Sequence, residues 1–259
     1  MRRVSWGPVL VPFTLSRILL LIVGWFSQYF PADPARPFHL LQQGFAATPN
    51  RLIDIWFRSD SAYYMSIVTT DYPGVADLAN TQSNFGFFPL YPYLLRPFLL
   101  GTYNLTGSYD LVLLLGIVIS NLLLLGAGFL LYKLISTQFS SDLLAKRTVW
   151  LLMFFPTSFF LSSIYAEPLF LFLSVAGFFL IMRRNWAAAA LAGFLLALTK
   201  QVGVAFLLVL IVSYDWKNPQ MARSNLVCRG AGGTSGIFSE GVPHHRRSVC
   251  AVDCPLRLG

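Results

Sequence analysis

Apolar side chains along this chain come in long blocks, and the few polar positions that separate or interrupt the blocks define its plan. Residues 9–30 are apolar apart from Arg17 and a few small polar groups. As a helix rising about 1.5 Å per residue, that stretch covers the roughly 30 Å of bilayer hydrocarbon. A long polar segment, 31–86, follows. Residues 87–100 are apolar but punctuated by Pro89, Pro92 and Pro97, which are expected to interrupt a helix, so the stretch is read as dipping into the bilayer or lying at its surface. Residues 111–132 form a clean span between Asp110 and Lys133. The run 149–182 corresponds to about 51 Å of helix, too long for one crossing. It predicts a helical hairpin turning at Tyr165-Ala166-Glu167-Pro168, because Pro168 ends one helix and is tolerated in the first turn of the next. A second such run, 186–214, is interrupted by Thr199-Lys200-Gln201. Within the polar segment, Ile53, Trp56, Phe57, Tyr64, Ile67 and Val68 recur at three- and four-residue steps, predicting a helix over 53–68 with Asp60 on its apolar stripe. The alternative is a helix that starts at Asp60 with Ser59 as its cap, the carboxylate then facing the positive end of the helix dipole.

Composition turns this pattern into a class. The chain has 259 residues, 56% hydrophobic and 12% charged, whereas soluble domains carry about a quarter charged residues. An all-α polytopic integral membrane protein is expected. The first apolar stretch exceeds the usual signal-peptide core of about 7–15 residues and lacks a small-x-small cleavage site, so it is read as a retained anchor. The net charge of +8 does not imply a nucleic-acid partner, since the basic residues sit singly or in pairs at the ends of apolar runs and form no basic face. They set orientation instead. Arg2 with Arg3, Lys133 with Lys146 and Arg147, and Arg183 with Arg184 all fall on the cytoplasmic side if 87–100 does not cross. The same solution places the Asp60 segment and Glu167 together on the opposite face. No cysteine precedes Cys228, and Cys228, Cys250 and Cys254 give neither a disulfide framework nor a zinc-binding spacing; no metal and no cofactor is expected. From Asn218 the apolar periodicity stops and Gly, Ser, Arg, Cys and His take over. The chain is therefore divided into a membrane part, 1–217, and a tail, 218–259, to which no function is assigned. The abrupt change suggests a reading-frame change or a truncated gene, with a disordered tail as the competing reading.

The candidates for chemistry are the ionisable residues set among apolar ones. Asp60 lies in Trp56-Phe57-Arg58-Ser59-Asp60-Ser61-Ala62-Tyr63-Tyr64, and a carboxylate on an apolar stripe needs a partner; stabilising a helix end is the simpler role for it. Glu167 sits in the predicted hairpin turn, where an ionisable residue is either functional or a first-turn dipole partner. Lys200, Arg17 and Arg96 can each snorkel to the surface or hold a lipid phosphate. The aromatic stretch through Phe87, Phe88 and Tyr91 fits an interfacial belt. Asn104-Leu105-Thr106 matches a glycosylation acceptor. There is no Gly-rich phosphate loop, no HExxH and no nucleophile elbow, so nucleotide-dependent chemistry has no support. Two classes remain: a lipid-surface enzyme, and a transporter-like or structural membrane protein in which broken hairpins form a passage.

The order Ser16-Arg17, then Asp60 with Tyr63-Tyr64 after a Trp, then Phe87-Phe88-Pro89-Leu90-Tyr91-Pro92, Phe155-Pro156-Thr157-Ser158-Phe159-Phe160 with Tyr165-Ala166-Glu167-Pro168-Leu169-Phe170, and Ala197-Leu198-Thr199-Lys200 with Gly203 resembles the PIG-V family of mannosyltransferases over roughly residues 10–214. Two departures stand out: the usual Trp-Asp pair is separated here as Trp56 and Asp60, and Lys200 stands where Arg is more typical. The resemblance implies a GT-C-like bundle with an extracytoplasmic first loop and short helical hairpins. It implies mannose transfer, with inversion, from a polyprenyl- or dolichyl-phosphate-mannose donor to a lipid-linked or membrane-associated acceptor, such as a precursor of the GPI anchor. In that reading Asp60 is the general base, Lys200 holds the departing phosphate with Arg17 and Arg96 in reserve, and Glu167 orients the sugar or the cation. Tyr64, Phe88 and Tyr91 belong to the aromatic patch that packs the donor's isoprenoid chain. The membrane is the plasma membrane in a prokaryote and that of the endoplasmic reticulum in a eukaryote. Family members are longer, so the chain reads as an N-terminal part whose activity is open.

Overall fold

The computed structural model describes residues 6–27, 29, 48, 50–58, 60–72 and 84–214. The chain divides into two units, Met1–Pro219 and Gln220–Gly259. The second unit, and with it the expected tail, lies outside the described residues, as do Arg2, Arg3, Ser59 and much of the polar segment.

Every regular element among the described residues is helical. Helix α1 (Gly7–Ser27) and helix α5 (Tyr109–Gln138) are long and apolar enough to cross a membrane. Along α1 a wide face carrying Leu15, Ile18, Ile22 and Phe26 is exposed, as suits a helix whose outer solvent is lipid. Helix α5 runs six residues beyond the expected span at Tyr132 and is the axis of the bundle, packed against α1, α4 (Leu90–Thr106), α6 (Asp142–Phe154) and α7 (Glu167–Met182). Its start is set by Ser108, whose side chain accepts the Leu111 amide, and by Asp110 in the first turn, where a carboxylate meets the positive end of the dipole. Two buried clusters fill the bundle. The larger runs through Trp56, Tyr64, Tyr91, Leu95, Leu113, Ile164, Tyr165 and Leu169; the smaller joins Val9, Leu124, Val149 and Met153.

Three expected elements differ. First, no helix runs over 53–68: a single turn, α2 (Arg51–Asp54), is followed by a break, and α3 (Ser61–Thr70) starts only after Asp60. The apolar side chains Ile55, Trp56 and Phe57 are buried from irregular backbone, so their spacing reflects core contacts and not a helical period. Second, the prolines do not interrupt 87–100, because α4 is continuous. Pro89 precedes it and Pro92 lies in its first turn, where amides have no intrahelical acceptor. Only Pro97 is interior. The helix ends at Gly107, whose left-handed φ of 64° lets its amide return 2.7 Å to Tyr103 O. Third, the hairpin expected in 149–182 begins earlier and turns more broadly. Helix α6 already starts at Asp142, and residues 155–166 are a 3-10 turn (Pro156–Phe159) and irregular chain before α7.

Ser158 and residues 162–166 of that turn are buried, and buried backbone must satisfy its polar groups. Arg17 does so. From the middle of α1 its guanidinium donates to Met153 O at 3.2 Å, to Ser158 O and Ser158 Oγ at 3.0 Å each, and to Ser162 Oγ. Ser162 in turn donates to Asn121 of α5 at 2.7 Å. One cation thus pins α1, the loop and α5 together.

The second broken run behaves as the sequence suggests. Helix α8 (Trp186–Thr199) ends at Lys200, a 3-10 turn covers Gln201–Ala205, and α9 (Phe206–Ser213) follows. Helices α7 and α8 form an antiparallel hairpin turned at residues 183–185, with the Asn185 side chain accepting the Ala188 amide. They have 16 and 14 residues. Near-equal lengths bring the start of α7 beside the end of α8.

Candidate functional site

Where those two ends meet, Lys200 Nζ lies 2.6 Å from Glu167 Oε1, each side chain about one-third exposed. Glu167 occupies the first position of α7 with Pro168 behind it, and Lys200 is the extended residue closing α8. The position of Lys200 is held by its backbone: its amide donates to Leu196 O at 3.1 Å and its carbonyl accepts from Gly203 N at 2.8 Å. Gly203 is required there. A Cβ on it would come within 2.1 Å of Leu196 O, well inside any tolerated contact. Among the described residues the other carboxylate oxygen, Glu167 Oε2, is buried with no hydrogen-bond partner, and a buried unpaired acceptor carries a desolvation cost.

Asp60 reaches the same place from a third segment. It stands at the cap position of α3 but its side chain makes no capping hydrogen bond, so the role of simple helix stabiliser is not realised by a cap contact. Burial pushes its carboxyl above the usual carboxylate range; the charge of Glu167 pushes in the same direction and that of Lys200 opposes it. Asp60, Glu167 and Lys200 therefore share one electrostatic neighbourhood. A side chain that sequence reasoning gave no role builds the connection. The Tyr165 hydroxyl donates to Arg58 O at 2.9 Å and accepts the Asp60 amide at 3.1 Å, tying the break before α3 to the residues before α7. Arg58 is anchored as well, 2.8 Å from the buried carboxylate of Asp54. The signal for Tyr165 was present in its adjacency to Glu167, but its reach of more than a hundred residues was not.

The remaining candidates are distributed around this centre. Tyr64 packs edge-on to Phe87 and Tyr91, 5.0 and 5.3 Å between ring centres. Burial, and after it the charge of Glu167, keep its hydroxyl protonated well beyond the ordinary range. Tyr91 is fully buried with its hydroxyl 2.8 Å from Ser120 Oγ, so it forms the floor beneath the site. Phe88 is half-buried at the entrance to α4. Arg96 and Arg17 are not brought to Glu167 by any contact among the described residues. Arg96 is bound 2.6 Å from Asp71, whose carboxyl also accepts from Tyr93 at 2.5 Å and from the Tyr72 amide at 2.9 Å. Those hydrogen bonds, Tyr93 foremost, hold Asp71 down at about 2. Arg17 is committed to the loop before α7. Among the described residues no group of three or more His, Cys, Asp or Glu is placed to hold a metal ion. An apolar cavity of about 380 Å³ opens between α3, α4 and α5, lined by Met65, Val68, Leu99, Leu100, Tyr103 and Val112.

An acid that keeps its proton longer than usual, a second carboxylate and an ammonium ion, all at a break in apolar helices, suit chemistry on a substrate with a polar head and an apolar tail. A family model described as "Mannosyltransferase (PIG-V)" matches residues 9–214. No curated protein and no solved structure matches the chain.

Proposed function

The chain belongs to the PIG-V family of mannosyltransferases, a family of membrane-embedded enzymes, and on that premise we propose that Asp60, Glu167 and Lys200 are the working groups of its transfer site. The observation that carries the proposal is the convergence of three segments far apart in sequence on one spot, seen in the 2.6 Å Lys200–Glu167 contact and in the Tyr165 hydroxyl, two residues before Glu167, that accepts the Asp60 amide.

The donor is a polyprenyl-phosphate-mannose and the acceptor a hydroxyl of a membrane-associated glycolipid or glycan, a GPI precursor in a eukaryote. Asp60, as the carboxylate, takes the proton of the acceptor hydroxyl; the acceptor oxygen bonds to C1 of the mannose with inversion as the C1–O(phosphate) bond breaks, and the polyprenyl phosphate leaves with the bonding pair. Lys200 meets the charge that gathers on that phosphate, and its place beside a fixed carboxylate means little reorganisation is needed as the charge develops. Glu167 holds the ammonium ion through Oε1 and keeps Oε2 available for a hydroxyl of the sugar. Phe88 and Tyr64 flank the entry of the prenyl chain, and the cavity one to two turns along α3 from Asp60 has room for an apolar segment. In this reading the protein crosses the membrane several times, with the site at the extracytoplasmic face in a GT-C-like bundle.

The test is transfer of radiolabelled mannose from polyprenyl-phosphate-mannose in membranes containing the full chain. Loss of a general base lowers turnover about 10²- to 10⁴-fold, so Asp60→Asn is expected to fall by at least about 100-fold at unchanged expression. Wild-type turnover in Asp60→Asn removes Asp60 from the mechanism.

A further inference from the structure

At the opposite end of α7 from Glu167, some sixteen residues or about 24 Å away, the chain gathers cations on aromatic rings. Lys133 Nζ of α5 sits 5.7 Å from the centre of Phe129 and 5.9 Å from that of Phe179, and the Arg183 guanidinium lies 5.2 Å over the same Phe179 ring. All of these contacts fall within the range of cation–π attraction. Such contacts position a cation without neutralising it, because a ring carries no net charge. Among the described residues neither Lys133 nor Arg183 has a carboxylate partner, in contrast to Lys146, which is 2.6 Å from Asp142 at the same end of the bundle.

Rings of the kind found at headgroup depth stand at the neighbouring element ends. Trp6, at the start of α1, stacks on Phe129 at 4.5 Å; Trp186, at the start of α8, meets Tyr214 edge-on at 5.1 Å. Trp and Tyr favour the membrane–water interface, and basic residues the cytoplasmic one. The separation from Glu167 along α7 approaches the thickness of the hydrocarbon layer. Two un-neutralised cations that converge on one ring at headgroup depth are matched by a phosphodiester whose acyl chains lie along the apolar faces of α5 and α7.

We infer that Lys133 and Arg183, seated on Phe179, form a binding site for the phosphate of an anionic phospholipid in the cytoplasmic leaflet, remote from the transfer site. The inference rests on the membrane orientation of the proposed function, but not on the assignment of catalytic roles.

The experiment is native mass spectrometry of the purified full chain in detergent, titrated with phosphatidylglycerol or phosphatidylcholine. Each basic residue at a charged membrane surface contributes about five-fold in affinity, so Lys133→Gln with Arg183→Gln is expected to weaken phosphatidylglycerol binding about 25-fold and leave phosphatidylcholine unaffected. The charge-keeping pair Lys133→Arg with Arg183→Lys is expected to retain the preference, and Lys146→Gln to leave it unchanged. Equal affinity for the two lipids overturns the site, as does phosphatidylglycerol binding that survives the double Gln substitution. Full competition by millimolar inorganic phosphate overturns the lipid assignment by marking a free-anion site. None of these readouts involves mannose transfer, so failure of the lipid site and failure of the catalytic proposal are distinguished.

Discussion

The chemistry proposed for Asp60 depends on its charge state, and its neighbours set that state with opposite signs. Burial raises the carboxyl pKa from its ordinary 3.8, Glu167 raises it further, and Lys200 pulls it back. A base works only when ionised, so transfer is expected to fall as pH drops through this raised pKa, at a higher pH than for an ordinary carboxylate. Removing the like charge in Glu167→Gln lowers the Asp60 pKa and moves the acid limb to lower pH; removing the attraction in Lys200→Met moves it to higher pH. A profile of kcat/KM against pH for the three proteins checks both signs, and shifts in the same direction for both variants would contradict the shared neighbourhood. Lys200→Met is also expected to weaken use of the phosphate-bearing donor, whereas Lys200→Arg retains the charge. Arg17, by contrast, belongs to folding. It is buried against neutral oxygens of Met153, Ser158 and Ser162, so Arg17→Leu leaves several acceptors unpaired and is expected to cost about 3–5 kcal/mol, read as a lowered melting temperature of the purified protein.

At the level of elements, the site exists because helices stop. The ending of α8 at Lys200 is fixed by the close approach of Gly203 to the Leu196 carbonyl. Gly203→Ala cannot be accommodated there without moving backbone, and it is expected to displace Lys200 and raise KM for the donor more than it lowers expression, measured by transfer at varied donor concentration. Tyr165→Phe leaves the Asp60 amide and the Arg58 carbonyl without their hydroxyl partner; turnover is expected to drop about 10-fold, as about 1–3 kcal/mol of unsatisfied polar groups loosens the start of α3. These breaks were legible in the sequence to different degrees. Lys200 amid apolar residues and Glu167 before Pro168 marked two of them at the right residues, because a charge or a proline in an apolar run has few structural explanations. The break before Asp60 was only one of two readings, the helix start at Asp60 lying within one residue of the observed start at Ser61, since Trp56, Phe57, Tyr64 and Val68 share a core and mimic a helical stripe. Pro92 misled in the other direction, because proline in a first turn costs no hydrogen bond. The role of Arg17 was illegible as well: the serines that receive it lie some 140 residues away and carry no pattern of their own.

Considered as a whole, the described bundle is polarised along the axis of α7. Glu167 at its first residue belongs to the acidic centre with Asp60 and Lys200, and Arg183 just past its last residue belongs to the basic, aromatic end with Lys133. The separation of about 24 Å approaches the width of the hydrocarbon layer, so an α7 that runs across the bilayer puts the two ends in different aqueous compartments. On the proposed orientation the basic end is the cytoplasmic one, because cations favour that side. The sequence provides a convenient background for testing this, as its only cysteines are Cys228, Cys250 and Cys254. With those three replaced by Ser, single cysteines at 60 and 183 can be labelled in intact cells or sealed vesicles with a maleimide that does not cross membranes. Cysteine at 60 is expected to react from the extracytoplasmic side, and cysteine at 183 only after the membrane is permeabilised. If both react from the same side, α7 lies along the surface, and the external transfer site and the cytoplasmic lipid site both fall. If the two react from opposite sides but in the reverse sense, the compartment of mannose transfer changes and the assignment of the lipid site to the cytoplasmic leaflet falls.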